Sequence, residues 1–332
     1  MSKQKASSSS SSPASYIKLV ATIVVVIASM WFYNKTNSDS PKSNNNDTPK
    51  KPKKERVQEK ENTSKPTRNN NSSDEDEPKS KPNKGRVTLP EYALDKAFPF
   101  PKPYPNATEG RQIVEHTAFT LSYYEKHEQA EWVSYTLTDK DLRGSADREH
   151  ESFSADEAIE RGSASPQDYL GTGYDRGHLA PAADMKRSEK AMQESFLMSN
   201  MSPQKPKCNR GIWRIIEEQV RDWAKQEKYL FVSTGPVLQD GLKKIGRTTK
   251  ISVPAYYYKI ILKVSEDEDP KAIAFLVKND GSDEDPKTFV VSIDEVEERT
   301  GIDFYPLLPD AIEKKLEAAN NPDLWEWSEP RR

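Results

Sequence analysis

Residues 34–86 limit what this chain can fold into, because they offer almost nothing for a hydrophobic core. Asn, Ser, Lys, Pro and Glu dominate this stretch, and apolar residues are nearly absent from it. A segment of such low hydropathy cannot bury enough apolar surface to offset its loss of conformational entropy on folding. We therefore predict a disordered linker over residues 34–86 and a folded domain over residues 87–332.

Ahead of the linker, residues 17–33 form an apolar run that is typical of a membrane-targeting segment. As a helix, the uncharged part spans only about 22 Å. The hydrocarbon core of a bilayer is about 30 Å thick, so Lys18 would have to extend its side chain toward the interface. Two alternatives remain open. A signal peptide would be cleaved near Ala28 and leave a secreted or periplasmic protein, whereas the aromatic residues 31–33 favour an uncleaved single-pass anchor.

The same N-terminal segment gives an expectation for location. Lysines within residues 1–16 favour a short cytoplasmic N-terminus, which would place the folded domain outside the cytoplasm. Residues 1–33 are neither Arg-rich nor amphipathic, as a mitochondrial presequence would be. We therefore expect export across a bacterial membrane.

Charge is distributed unevenly along the 332 residues. Residues 1–86 contain 17 Lys and Arg against 9 Asp and Glu, which leaves 33 against 44 in the remainder. An acidic domain does not fit a protein that coats nucleic acid passively, whereas an enzyme needs only a local basic groove. The single cysteine, Cys208, excludes a disulfide framework within the chain.

Hydrophobic periodicity predicts an α+β fold with a mostly antiparallel sheet. Alternating apolar residues over 113–123 and 132–137 predict a β-hairpin or two neighbouring strands. One apolar stripe at helical spacing predicts the clearest helix: Trp213, Ile216, Val220 and Trp223. Further strands are predicted at residues 229–233, 251–262, 272–277 and 289–293, and further helices at residues 188–196, 292–301 and 309–319. Residues 139–172 lack periodicity and predict a long irregular excursion.

That excursion leads into Asp175-Arg176-Gly177-His178, which lies between Gly173 and Pro181. These flanking residues predict that backbone turns, rather than a regular element, present the side chains. A histidine beside a permanently charged arginine suits chemistry in which water is deprotonated and an anion is bound. The alternative is a tight turn with a solvated arginine and a structural histidine.

Further polar residues follow the motif at spacings that suit a cation site. They are Asn200, Asn209, Glu217 and Arg221, the last three of which begin at the start of the predicted long helix and continue along it. Mg²⁺ prefers oxygen ligands and keeps several waters, so one amide oxygen and water can suffice to hold it. A site with two metals would need several clustered carboxylates, and only Glu217 is well placed.

Taken together, these motifs resemble the DNA/RNA non-specific endonucleases of the ββα-metal group, the endonuclease G-like family. The matching stretches cover roughly residues 110–310 and occur in the order of the family: Asp175-Arg176-Gly177-His178, residues 199–204, Asn209 with Trp213 and Glu217, Thr234-Gly235-Pro236, and residues 253–259. The resemblance implies a ββα-metal fold in which a loop bears the histidine and a helix bears the Asn and Glu.

The resemblance also implies a role for each site residue. His178 is implied as the general base, Asn209 as the direct Mg²⁺ ligand, and Glu217 as the residue that holds water on the metal. Arg176 and Arg221 are implied near the phosphate. Asn200 is implied as a structural or metal-shell support. Asp175 is expected to orient the loop rather than to act chemically. The family has one more arginine upstream; Arg148 and Arg161 are the candidates, and we favour Arg148.

We therefore expect a sequence-non-specific endonuclease that depends on Mg²⁺, Mn²⁺ or another divalent cation and uses no small-molecule cofactor. Because water rather than a ribose 2′-hydroxyl attacks, both DNA and RNA are expected substrates. Basic residues near the motifs are expected to form the nucleic-acid groove: Lys186, Arg187, Lys205, Lys207, Arg210 and Arg214. The resemblance implies a homodimer. The alternative function is an inactive nucleic-acid-binding or adaptor module that kept the fold.

Overall fold

The structure, a computed structural model, describes the backbone of residues 104–105 and the whole of residues 109–265 and 268–329. The predicted N-terminal segments (1–16 and 17–33) and the predicted linker (34–86) lie outside the described residues. The first residues of the predicted domain, 87–103, lie outside them as well, so the domain boundary at residue 87 stays a prediction.

An antiparallel sheet of seven strands is the main element of the fold. The sheet has the order β12-β11-β10-β7-β4-β3-β2, and every neighbouring pair in it is antiparallel. Three two-stranded ribbons accompany it, formed by β1 with β13, β5 with β6, and β8 with β9. In chain order the strands are β1 (Tyr104–Pro105), β2 (Arg111–Glu115), β3 (Thr120–Tyr124), β4 (Gln129–Thr138), β5 (Asp175–His178), β6 (Met201–Gln204), β7 (Tyr229–Pro236), β8 (Lys244–Ile245), β9 (Ile251–Ser252), β10 (Tyr256–Lys263), β11 (Lys271–Lys278), β12 (Val290–Val291) and β13 (Ile302–Asp303).

Helices cover both faces of this sheet. They are α1 (Asp139–Leu142), α2 (Glu189–Glu194), α3 (Trp213–Glu227), α4 (Ile293–Thr300) and α5 (Asp310–Glu317). Ser188 caps α2 and Ser292 caps α4, each by accepting a hydrogen bond from a backbone N–H of the first turn. Gly301 ends α4 in the left-handed conformation. The mixed fold with an antiparallel sheet is thus the fold class that the sequence predicts.

The long helix α3 buries the stripe that the sequence predicts. Trp213, Ile216, Val220 and Trp223 are all buried, and they pack on the same face of the sheet as Tyr257 and Ile261 of β10. The alternate residues of β10 face the other way, onto α4 and α5. The two faces therefore belong to two hydrophobic clusters, and the polar site described below lies with α3.

Two predictions about local structure are wrong. Residues 251–262 form β9 and β10 with a break between them, at Pro254, whereas the sequence predicts one strand. The Asp175–His178 motif is strand β5, not a turn. Its hydrogen-bonding partner, Met201–Gln204, lies some 25 positions further along the chain, so local turn signals could not indicate the pairing.

Within the described residues, no helix combines enough length with enough apolar character to cross a bilayer.

The C-terminal segment packs back on α3. The Trp223 ring lies 4.7 Å from the ring of Trp325 and 5.0 Å from that of Trp327, measured between centroids. The indole N–H of Trp223 also donates to the backbone carbonyl of Glu326 at 2.6 Å. One buried side chain thus holds both the helix and the tail.

We expect Trp223→Ala to lower the free energy of unfolding by about 3–5 kcal/mol, because it leaves a large cavity and removes the anchor of the tail. Urea denaturation of the full chain measures this change. Trp327→Ala is the matched control, since Trp327 is only half-buried, and it should cost clearly less. Equal losses would contradict the central position given to Trp223.

Candidate active site

The ribbon of β5 and β6 carries the histidine motif. His178 pairs with Met201 and Asp175 pairs with Gln204 across the ribbon. Just beyond it, the buried Asn200 fixes the chain that follows His178. Its Oδ1 accepts from the N–H of Ala180 at 2.9 Å, and its Nδ2 donates to the carbonyl oxygens of Ala180 and Ser195. The Asn200 amide is therefore fully used by backbone, as a structural support would be.

His178 lies among aromatic rings. Its ring stands edge-on to Phe196 at 5.0 Å and tilted to Phe153 at 5.7 Å, measured between centroids. Burial, reinforced by the positive charge of Arg148, lowers the pKa of His178 to about 3. The imidazole is therefore neutral at pH 7. Its Nε2 atom is buried and has no hydrogen-bond partner within the described residues.

Two arginines accompany the imidazole. Arg176 is two residues before His178 on β5, so both side chains leave the same face of the ribbon. Its guanidinium carbon lies 4.2 Å from the centroid of the Phe153 ring. The exposed Arg148 places its guanidinium 5.7 Å from the Phe196 ring, next to the same imidazole. Arg148 rather than Arg161 thus shares the surroundings of His178.

Asp175 joins the ribbon to the start of the long helix. Its carboxylate accepts from Nδ2 of Asn209 at 3.0 Å and from Nε and Nη2 of Arg210 at 2.8 and 2.7 Å. Burial alone would raise the pKa of Asp175, but the hydrogen bonds from Arg210 and Asn209 hold it below its usual value. The amide nitrogen of Asn209 is used by Asp175, and its amide oxygen accepts no hydrogen bond within the described residues.

A break in the helix determines where Asn209 lies. Residues eight apart in a straight helix, such as Asn209 and Glu217, would be about 12 Å apart along the axis. Cys208–Ile212 instead form a wider turn in which Gly211 is non-helical, with φ −105° and ψ −114°. Asn209 therefore leaves the line of α3 and meets the ribbon.

A cluster of buried charges surrounds Glu217 on α3. Burial raises the pKa of Glu217 to about 7, although the positive charges of Lys259 and Arg221 oppose the rise. Arg221 donates from Nη1 to the buried Asp184 at 3.1 Å, and Asp184 also accepts from the hydroxyl of Tyr135 at 2.8 Å. Arg221 is thus held by a carboxylate beside Glu217.

Lys259 belongs to this cluster and is not among the sequence-predicted site residues. It is 0% exposed, and its ammonium lies 4.9 Å from the Trp213 ring without a hydrogen-bond partner in the described part of the chain. Burial lowers its pKa, against the opposing effect of Glu217. The available signal was a lysine in the middle of the apolar residues of β10, whereas Lys263 ends that strand. Asp184, Phe153 and Phe196 had no comparable signal.

Eight of the predicted site residues thus fall into three groups, whose members share neighbours, form hydrogen bonds or interact through charge. They are Arg176, His178 and Arg148; Asp175, Asn209 and Arg210; and Glu217 and Arg221. Within the described residues no hydrogen bond joins one group to another, and the ribbon and α3 hold them side by side. The groups of three carboxylates that lie close together are elsewhere, among Asp294, Glu297, Asp303, Glu313 and Glu317, and they do not include Glu217.

Most of the predicted groove residues are paired with acids. Arg187 lies 3.3 Å from Asp141, Lys205 is 3.1 Å from Asp280, and Arg214 is 2.5 Å from Glu218. Arg210 is bound by Asp175, as described above. Lys186 and Lys207 have no ion pair among the described residues. The positive charge that was predicted around the motifs is therefore largely neutralised.

A family model described as DNA/RNA non-specific endonuclease matches residues 101–311 of the chain. The chain belongs to this family. Nucleases of the family depend on a divalent metal, and membership confirms, at the level of the family, the predicted enzyme class of hydrolytic nuclease.

Individual proteins similar to this chain are also named nucleases. The chain is 36% identical over 215 residues to Nuclease EXOG, mitochondrial, of Xenopus laevis, across 60% of this chain and 59% of that protein. For the human EXOG nuclease the identity is 34% over 233 residues, across 66% and 62%. A Nuclease of Nostoc sp. is 32% identical over 225 residues, across 63% and 80%. The alignments thus span about three fifths of the length of the EXOG relatives.

A solved structure shares the fold. It is the crystal structure of the EndoG/EndoGI complex, which concerns the mechanism of EndoG inhibition. The TM-score is 0.56 at 29% identity, and the match covers 61% of this chain and 87% of that chain. This likeness extends the agreement from motifs to the arrangement of the whole matched region.

The relatives correct the predicted location. The EXOG nucleases of frog, zebrafish, mouse and human are named mitochondrial, which contradicts a single-pass anchored protein with its catalytic domain outside the cytoplasm. That prediction rested on an apolar run of about 22 Å, too short for the roughly 30 Å bilayer core, and on a lysine bias that later lysines blur. The segment itself, residues 17–33, lies outside the described residues.

We expect the imidazole of His178, which is half-buried with its Nε2 atom enclosed, to make folding stability depend on pH. The pKa of His178 is about 3 in the folded chain, against about 6.5 when exposed, so the unfolded chain binds the proton more readily. The contribution of His178 is thus complete above pH 6.5 and is lost as the pH falls toward 3, by up to about 1.4 kcal/mol per pH unit.

Urea unfolding between pH 7 and 4.5 checks this dependence. His178→Gln removes the titrating group, so its stability should fall less steeply with acid than that of the unmodified chain. The exposed His150 provides the control, because His150→Gln should leave the slope unchanged. Parallel curves for all three proteins would show that His178 is not held neutral by burial.

Proposed function

We propose that this chain is a divalent-metal-dependent, sequence-non-specific endonuclease that hydrolyses phosphodiester bonds of DNA and RNA. Residues 87–332 are its nuclease domain. The ribbon of β5 and β6 followed by α3 is the ββα unit of that domain, with the base on the ribbon and the metal ligands at the helix.

The observation that carries the proposal is the Nε2 atom of His178. A buried polar atom without a partner costs about 1–3 kcal/mol and calls for a specific explanation, of which a catalytic role is one. Here the orphaned nitrogen belongs to a neutral imidazole, which is the protonation state that a general base requires. Two cationic side chains stand next to it, where the anionic phosphate of a substrate would be attracted.

The donor set fits one hard divalent cation. The amide oxygen of Asn209 and the carboxylate of Glu217 are oxygen ligands, which Mg²⁺ prefers, and neither takes part in a hydrogen bond as an acceptor within the described residues. Both are half-buried. We propose Mg²⁺, with Mn²⁺ as a substitute, held directly by the amide oxygen of Asn209 and through metal-bound water by Glu217. When bound, the metal supplies positive charge that stabilises the phosphorane and the leaving 3′-oxygen.

Side chains of the protein bind the phosphate and accept the proton. Arg176 and Arg148 bind the phosphate and stabilise the charge that develops on it. His178 accepts the proton of the attacking water at Nε2. Arrival of the negative phosphate raises the pKa of the imidazole from its substrate-free value and so makes it a stronger base.

Three further residues position this machinery. Asp175 orients Asn209 through its amide nitrogen, and Asn200 fixes the backbone after His178. Arg221, held by Asp184, keeps a positive charge beside Glu217 and near the phosphate. With water as the nucleophile, a ribose 2′-hydroxyl is not needed, so DNA and RNA are both substrates. A homodimer, implied by the family resemblance, stays a prediction.

Cleavage itself is the first test. The full chain, incubated with plasmid DNA and with RNA, should degrade both in Mg²⁺ and neither in EDTA. His178→Ala should lower the rate by about 10²- to 10⁴-fold, as expected for a lost general base, with a thermal transition close to that of the unmodified chain. His150→Ala is the matched control and should retain activity.

Absence of cleavage in every divalent metal would overturn the proposal in favour of an inactive nucleic-acid-binding module. Collapse of the thermal transition in His178→Ala would instead show that the imidazole is structural.

Metal dependence tests the role of Asn209 separately. Asn209→Ala removes the proposed amide ligand and should raise the Mg²⁺ concentration for half-maximal cleavage by at least about tenfold. Asn320→Ala, at an exposed position, should leave the metal dependence unchanged. Titration calorimetry with Mg²⁺ alone gives a second readout, and equal Mg²⁺ affinities in the three proteins would remove Asn209 from the metal site.

A further inference from the structure

The β8–β9 hairpin, residues 243–252, concentrates positive charge outside the predicted groove. Residues 241–253 contain four basic residues and no acidic one. All four are exposed: Lys243, Lys244, Arg247 and Lys250. The rest of the chain after residue 86 has a clear excess of acidic residues, so this local balance is unusual for the molecule.

The hairpin charges also differ from those of the predicted groove in their partners. Lys244 donates to the backbone carbonyl of Lys126, and Lys250 donates to the carbonyls of Gly246 and Arg247. None of the four basic side chains forms an ion pair with a carboxylate among the described residues. Arg187, Lys205, Arg210 and Arg214 all do so. The four cationic side chains are therefore not tied up in ion pairs within the described residues, and they are exposed to an external partner.

The turn of the hairpin is held in one conformation. Oδ1 of the buried Asp168 accepts from the backbone N–H groups of Arg247, Thr248 and Thr249 at 3.0, 2.9 and 3.1 Å. Gly246 has φ +101°, and a Cβ there would lie 1.9 Å from the carbonyl oxygen of Thr249. A turn that is already ordered loses little conformational entropy when it binds.

The hairpin is packed against the ribbon that carries His178. Its apolar residues Ile245 and Ile251 belong to one buried cluster with Met198 and Met201, and Met201 is the residue that pairs with His178. Phe153, which contacts both Arg176 and His178, packs against the same cluster. The charged turn thus has a fixed position relative to the base.

The end of the ribbon indicates the distance between the charged hairpin and His178. Lys243 places its ammonium 5.5 Å from the ring of Tyr174, and Tyr174 is four residues before His178. Four residues of strand extend about 13 Å, which equals roughly four base pairs of duplex at 3.4 Å per strand nucleotide. A substrate that crosses His178 in this direction would pass the hairpin within a few nucleotides.

Resting on the proposed nuclease function, we propose that the β8–β9 hairpin binds the sugar-phosphate backbone of the substrate a few nucleotides from the cleaved bond. The four cations contact phosphates, which carry no sequence information, so this surface adds affinity without base preference. Most of the basic residues predicted for the groove are neutralised by carboxylates: Asp141, Asp175, Asp280 and Glu218. The hairpin thereby gives this acidic domain a positive surface that the groove provides only in part.

The test measures binding as a function of salt in the full chain. Lys243→Gln/Arg247→Gln removes two charges whose side chains make no hydrogen bond within the described residues. Lys314→Gln/Lys315→Gln, on α5 at the opposite face of the sheet, is the matched control. All are placed in the His178→Ala background with Mg²⁺ present, so that a fluorescent duplex and a single-stranded RNA stay intact during anisotropy titrations.

We expect the hairpin variant to reduce the slope of log affinity against log salt by about two, since each lost phosphate contact removes about one. The loss of affinity between 50 and 200 mM salt would then become about sixteenfold smaller. The effect should be the same for duplexes of different sequence, and the control pair should retain the parent slope.

The possible outcomes separate this proposal from the function on which it rests. A hairpin variant with the parent slope would overturn the hairpin proposal, even where the unmodified chain cleaves DNA and RNA. A chain that binds nucleic acid but never cleaves would sink the nuclease proposal alone. Lys243→Arg/Arg247→Lys keeps both charges and should keep the slope; a reduced slope there, with unchanged thermal unfolding, would show that charge is not the cause.

Discussion

The hydrogen bonds of the Asp175 carboxylate hold the two halves of the site together. Asp175 lies on the ribbon that carries Arg176 and His178, and it binds Asn209 and Arg210 at the start of the long helix. The backbone N–H groups of Cys208 and Asn209 also donate to the carbonyl of Lys205, which directly follows the ribbon, but these bonds do not orient the side-chain amide of Asn209. Because the carboxylate takes the amide nitrogen, the amide oxygen of Asn209 has one defined direction, and the proposed metal site depends on it.

Burial of ionisable groups determines the protonation states in the site, and it also costs stability. An imidazole among Phe153 and Phe196 stays neutral, and a carboxylate at Glu217 tends toward neutrality, for the same reason: the low-dielectric interior disfavours an ion. Lys259 and Arg221 oppose that tendency at Glu217. The network of Glu217, Lys259, Arg221 and Asp184 therefore keeps opposite charges close together in a buried region, and the fold must hold them with the rigid packing of α3 on β10.

The distribution of charge explains how an acidic domain can serve an anionic substrate. Four of the six basic residues predicted for the groove are bound by carboxylates, so they position elements rather than attract phosphates. The basic hairpin, which lies outside the Asp175–His178 and Asn209–Glu217 motifs in sequence, has no such partners within the described residues and is fixed by Asp168. Proximity along the chain was thus a poor guide to available charge, because acids from α1, α3, the ribbon and the segment after β11 reach those basic residues only in the folded protein.

The sequence by itself determined the antiparallel α+β fold, the buried stripe of α3, the capped helices and the family motifs, because each depends on local periodicity or on residue types at fixed spacing. It did not determine that Asp175–His178 is a strand, that Lys259 lies beneath Glu217, or that Phe153 and Phe196 enclose the imidazole. Those features arise from contacts between residues 18 to 42 positions apart in sequence. Local sequence patterns do not indicate such contacts. Arg148 and Arg161 both lie in irregular sequence, so the choice between them also required the aromatic pocket, which only the tertiary structure assembles.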